Sequence, residues 1–147
     1  MLFMSTHNCS VIEYFVVNSK KGFNAELFFA ALADRTRLRL LNLMRDGEVC
    51  VCFFAETLGT NNPKISRHLA YLRRADLVTG RRDGKWMHYC LNEPKNAQAR
   101  AVFASTMKML ALDPQMQRDS KRLENFCCSP VAITRLEAGK SDPIRTK

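Results

Sequence analysis

Two short apolar repeats, set only four residues apart, constrain this chain more than any other feature. Val51, Phe54, Ala55 and Leu58 recur at i, i+3, i+4 and i+7, which is one buried helical face, and Gly59 closes the run. Asn62 followed by Pro63 reads as an N-cap and a first helical residue, opening a second helix buried through Ile65, Leu69 and Leu72. Residues 59–62 leave room for a tight turn and nothing longer, so the pair is predicted to be a helix-turn-helix. Two further runs flank Asp83-Gly84, a dipeptide that favours a two-residue hairpin. A hairpin directly after a helix-turn-helix is a winged helix. The expected class is therefore mainly α with a small β-hairpin.

The flanks supply more helix. Leu27, Ala30 and Ala31 begin the first clear helical stretch, and Asp34 is a good N-cap for a helix with Leu38, Leu41 and Met44 on its apolar face. Glu93-Pro94 is predicted to open a long helix with Val102, Phe103, Thr106, Met109 and Leu110 on one stripe. A chain of 147 residues has little room to cover that extra stripe, so it is expected to be a homodimer surface. Asp113-Pro114 resembles another cap, for a helix buried through Met116, Leu123 and Phe126 and ending at Cys127-Cys128. The expected layout is an N-terminal extension (1–24), a winged helix-turn-helix DNA-binding and dimerisation domain (25–112), a C-terminal helix with its Cys pair (113–128), and a flexible tail (129–147).

Charge is concentrated where the helix-turn-helix and hairpin lie. The formal net charge is +9, and residues 61–85 hold seven Lys or Arg against two Asp, a local +5 in 25 residues. A basic stripe of this kind is the footprint of a polyanionic partner, here double-stranded DNA, whose major groove admits one helix. The expected contacts on the outward face of the second helix are Asn62, Lys64, Ser66, Arg67, His68 and Tyr71, with Arg67 suited to a guanine edge and Lys64 and Ser66 to the backbone. Arg81, Arg82 and Lys85 flank the hairpin tip and are expected to reach adjacent backbone or minor groove.

Six cysteines in a short secreted chain would suggest disulfides. Secretion is not expected, because the first apolar part follows no basic residue and is interrupted by Asn8, Glu13 and Asn18. The longest apolar runs are far too short to span a bilayer, so no membrane association is expected. The expected compartment is the cytoplasm, with reduced thiols available for packing, ligation or redox chemistry.

Residues 29–91 resemble the ArsR/SmtB metalloregulators. LADRTRLRLLNLM is similar to that family's LADPTRLRIL helix, GEVCVCFFAETLG to its ELCVC-containing helix, NNPKISRHLAYLRRADLV to its recognition helix and GRRDGKWMHYCLN to its wing. The resemblance implies a homodimeric winged-helix repressor, not an enzyme, that releases operator DNA when it binds an inducer. It is strongest to arsenic-responsive members, which implies arsenite or antimonite as inducer and control of arsenic resistance genes.

Cys50 and Cys52 stand at the start of the first helix of the pair. Residues two apart on a regular helix point about 200° apart, so both thiols reach one ion only if Cys50 lies outside the helix or the helix distorts. Thiolates at a helix start are favoured by its dipole and select soft ions and metalloids. Trivalent arsenic takes three thiolates, and Ala55 stands where some family members carry the third. Cys127 or Cys128 is the favoured source, from the same or the other protomer, with Cys9 and Cys90 as alternatives. Cys9 would instead resemble the cadmium and lead sensors, and a thiol redox-sensing repressor is a further alternative. Residues 94–112 contain no His, Asp or Glu, so the family's zinc-type site on the dimer helix is not expected. Cys128 and Arg135 lack the spacing and the glycine-rich turn of a phosphatase-like loop, which argues against a cysteine enzyme.

Overall fold

The computed structural model describes residues 22–127. Along them run α1 (Ala25–Leu32), α2 (Arg35–Leu43), β1 (Val49–Cys50), α3 (Val51–Leu58), α4 (Asn62–Arg74), β2 (Val78–Asp83), β3 (Trp86–Leu91), α5 (Ala97–Ala111) and α6 (Pro114–Cys127). Residues 1–21 and 128–147, which hold most of the expected N-terminal extension, Cys9, Cys128 and the tail, lie outside the described part.

Short polar side chains start most of these helices. Asn24, Asp34, Asn61 and Asn96 each accept a hydrogen bond from the backbone N–H three residues on, at 2.7–3.0 Å. Asp113 accepts from Gln115 N and Met116 N, and the Arg35 guanidinium holds its carboxyl below the usual carboxylate range. Each such cap contributes about 1 kcal/mol. The exception is α3, whose N-cap is Cys50 and receives no side-chain cap bond.

Three boundaries differ from the sequence expectation. Asn61, not Asn62, caps α4, so Pro63 sits at its second position, where a backbone N–H has no intrahelical acceptor to lose. Glu93-Pro94 does not open α5; its cap is Asn96, whose side chain satisfies the N–H of Ala99. Asp83 pairs with Trp86, so the hairpin loop is Gly84-Lys85 with Gly84 at φ 60°, the residue type that a II′-like turn needs first.

The hairpin gains a third strand. The sheet order is β1-β3-β2, antiparallel throughout, with Val49 opposite Tyr89 and Cys50 opposite His88. α4 ends in a Schellman motif: Leu77 N–H bonds Leu72 O and Asp76 N–H bonds Arg73 O, with Asp76 left-handed at φ 58°. The Asn92 side chain donates to both the carbonyl and the carboxylate of Asp76, at 3.0 and 2.8 Å.

One core joins all six helices. Phe28, Leu40, Leu41, Phe54, Ile65, Leu69, Leu72 and Met116 are fully buried in it. α6 is part of this core rather than an appendage, packing on α2 and α3. Arg39 makes a bidentate ion pair with the buried Asp119, Asn42 donates to Met116 O and Ser120 Oγ, and Arg122 donates to Thr57 O. The stripe expected on α5 splits in two. Phe103 and Leu110 join Ala99 and Met107 in the core, while Val102 and Met109 stay exposed, Met109 at 61%, beside Leu112 at 79%. No helix among the described residues is long and apolar enough to cross a membrane.

Candidate nucleic-acid interface and thiol site

The outward face of α4 forms because Ile65, Leu69 and Leu72 take the inward one. Asn62, Lys64, Ser66 and Arg67 are exposed on its N-terminal half, as expected. His68 and Tyr71 are not free outward groups. His68 turns to the start of α2, with Nδ1 3.6 Å from Asp34 Oδ1. The Tyr71 ring lies between two guanidinium groups, 4.3 Å from that of Arg37 and 5.0 Å from that of Arg74. Arg37 in turn donates to Ala30 O and Ala31 O at the end of α1. Both side chains therefore sit at the joint between α4 and the α1–α2 corner. Sequence periodicity missed this because helix faces beside His68 and Tyr71 are assigned only once α2 is placed.

In the wing, Arg81, Arg82 and Lys85 are exposed around the tip. Arg82 Nε donates to Gly84 O at 3.1 Å. Arg81 is already paired: its Nη2 and Nε reach the Glu48 carboxylate at 2.6 and 3.2 Å. That contact holds the Glu48 carboxyl below its ordinary range and raises Arg81. Glu48 also lies 3.4 Å from His88 Nδ1. Neither Glu48 nor His88 carried a signal in the sequence, because β1 is only two residues long.

The thiol pair is brought together. Cys50 takes extended backbone angles (φ −70°, ψ 141°) at the N-cap of α3, which resolves the 200° problem by keeping it outside the helix. Its sulfur lies 3.1 Å from that of Cys52, whose S–H donates to it. This bond, helped by the backbone N–H groups of Cys52 and Val51, lowers the Cys50 thiol to about 7 against the opposing effect of burial. The same bond, together with burial, pushes Cys52 upward. One thiolate stabilised by one thiol is a soft, half-assembled ligand set. Cys50 is 2% exposed, and Cys52 packs at the edge of the core. Among the described residues, no group of three Cys, His, Asp or Glu side chains is arranged to hold an ion. Cys127 ends α6, which packs against α3, while Cys128 and Cys9 lie outside the described residues.

Residues 34–79 match the model of the bacterial regulatory protein arsR family. The arsenic resistance transcriptional regulator ArsR2 of Pseudomonas putida is 36% identical over 104 residues, covering 70% of this chain and 89% of that one. The chain belongs to the arsR family.

A second arsR-family relative, the arsenical resistance operon repressor of Escherichia coli, is 49% identical over 65 residues, 44% of this chain. The chain spans about half the length of that repressor (56%). Reduced HlyU from Vibrio cholerae has the same fold, with a TM-score of 0.53 and 27% identity over 66% of this chain and 96% of that one. The arsR-family match runs from the cap of α2 to the second residue of β2, so it contains Cys50, Cys52 and the whole of α4. Cys127 and Cys128 fall outside it. The family's proteins are regulators rather than enzymes.

Proposed function

We propose that this chain is a cytoplasmic transcriptional repressor of arsenic resistance genes, released from operator DNA by trivalent arsenic or antimony. The 3.1 Å contact between Cys50 and Cys52 carries the reading, because two adjacent sulfurs at a helix start suit a soft metalloid that bonds both. Cys127 or Cys128 supplies the third sulfur, which the packing of α6 on α3 supports. Double-stranded operator DNA takes the exposed face of α4, with Arg67 on a base edge, Lys64 and Ser66 on the backbone and Asn62 at the same end of the helix. His68 and Tyr71 act by positioning α4, and Arg81, Arg82 and Lys85 meet the flanking backbone. The working unit is a homodimer, for which the exposed Val102, Met109 and Leu112 offer an apolar surface. The names of the relatives ArsR2 and the Escherichia coli repressor favour arsenic over other soft ions.

The test is fluorescence anisotropy of the reduced protein on duplex DNA from upstream of its own gene, with arsenite, antimonite, cadmium, lead and zinc added in turn. Arsenite and antimonite are expected to release the DNA. Cys50→Ser and Cys52→Ser proteins are expected to bind DNA and ignore both. Binding that none of the ions weakens would refute the reading, and a response to cadmium or lead that Cys9→Ser abolishes would replace it. A redox sensor is favoured by the same sulfur contact, since peroxide converts two thiols to a disulfide and two waters. Release by peroxide alone, with no response to arsenite, would select that alternative.

A further inference from the structure

The thiol pair and the wing arginine lie on one line. Cys50 on β1 stands opposite His88 on β3, and His88 stands opposite Arg81 on β2. Directly opposed residues of an antiparallel sheet project from the same face, so these three side chains form a row across all three strands. Glu48, two residues before Cys50 and just outside β1, reaches that row through its side chain. Its carboxylate spans the row, 3.4 Å from His88 Nδ1 and 2.6 Å from Arg81 Nη2. Arg81 thereby has its guanidinium fork filled by Glu48 from the segment leading into the thiol site. Its only other acidic contact among the described residues is Asp83, at a longer 3.5 Å.

We infer that Glu48 is a positioning residue that sets the wing Arg81 according to the state of the thiol pair. The inference rests on the repressor reading above. β1 pairs with β3 through only two residues, Val49 and Cys50, both buried, so a turn of Cys50 toward a bound metalloid shifts the whole of this short strand. Glu48 moves with that segment, and the bidentate grip carries the displacement to Arg81 at the opposite strand. The wing then leaves the position from which Arg81 meets a DNA phosphate. This route to release is additional to any displacement of α4 and needs no contact between the inducer and the wing.

The experiment is a double-mutant cycle in the full chain, using Glu48→Gln, Arg81→Gln and both together. For each protein, affinity for the promoter duplex is measured with and without arsenite at one salt concentration. Arsenite binding is followed separately by the ultraviolet absorption of arsenic–thiolate bonds. Glu48→Gln is expected to bind arsenite as the unaltered chain does, yet to lose about five-fold or more of the arsenite effect on DNA affinity. Adding Glu48→Gln to Arg81→Gln is expected to change that effect no further, because Glu48 acts through Arg81. Linkage requires the reciprocal result, with DNA weakening arsenite binding less in Glu48→Gln than in the unaltered chain. An undiminished arsenite effect in Glu48→Gln, or losses that multiply in the double variant, would overturn the inference and leave the repressor reading standing. An unaltered chain that binds arsenite but keeps its DNA would overturn both.

Discussion

Arg39 and Asp119 meet across 80 residues of sequence, with Arg39 Nε and Nη2 at 2.6 and 2.9 Å from the two carboxylate oxygens. The Asp119 side chain is 2% exposed and that of Arg39 only 21%, and Gln115 also donates to the same carboxylate. This pair fixes the helix that ends at Cys127 onto α2. Asp119→Ala leaves a guanidinium with no carboxylate in a half-buried seam, which costs about 3 kcal/mol. Urea unfolding of the two proteins, compared at equal slope, checks that figure. A change below about 0.5 kcal/mol would show that α6 contributes little to the common core.

The sulfur contact has a signature in pH. Cys50 ionises near 7, below its ordinary 9.0, because the Cys52 thiol donates to it. A group ionising earlier in the folded chain adds stability as pH rises from about 7 to 9, and that gain is lost as pH falls through 7. Cys52 is shifted the other way, so above 9 the unfolded chain releases a proton that the fold retains, and stability declines again. Ultraviolet thiolate absorbance, taken as a difference from Cys50→Ala, is expected to show one step near 7. In Cys52→Ala that step is expected to move back toward 9, since the donor is gone.

Asn61 gives a direct test of where α4 begins. Its side chain accepts from Lys64 N at 3.0 Å, so Asn61→Ala is expected to cost about 1 kcal/mol of stability. Asn62→Ala removes no cap and is expected to leave thermal unfolding nearly unchanged. If Asn62→Ala is the more destabilising, the helix starts one residue later than described.

The contrast between those two asparagines shows how far the sequence is legible. Element types followed from periodicity: the faces led by Val51 and Ile65 are helices, and the runs around Asp83-Gly84 form a hairpin. The start of α4 turned on which of two neighbouring asparagines wins a backbone N–H, and local sequence offers both equally. β1 was invisible because two residues carry no alternation, so Glu48 and His88 went unnoticed beside the thiols. Cys50 and Cys52 were legible as a pair from their spacing at a helix start, while only the structure shows that Cys50 lies outside the helix. The inward turn of His68 and Tyr71 was not, because it depends on Asp34 and Arg37 from another helix.

Lys64 separates electrostatic from base-reading contacts. It is exposed at the start of α4, where a phosphate contact releases about one counterion. Lys64→Ala is expected to lower affinity for all duplex sequences alike and to flatten the salt slope by about 1. Arg67→Ala should instead reduce discrimination between promoter and unrelated DNA. Equal salt slopes for Lys64→Ala and the unaltered chain would remove Lys64 from the interface.

The left-handed Asp76 sets the gauge of the whole DNA-reading tool. A non-glycine residue in that conformation costs about 1–2 kcal/mol, and here the Schellman bonds and both Asn92 contacts hold it in place. The angle at which β2 leaves α4 is thus held by a knuckle of a few residues, with Leu77 and Val78 buried in the core beside it. Helix and wing keep their mutual span at that hinge point, while the far side of the wing is fastened to β1. In the repressor proposed above, such a joint would let the wing tilt at its β1 edge while helix and wing keep their span, so its grip on DNA would be set by tilt and not by reach.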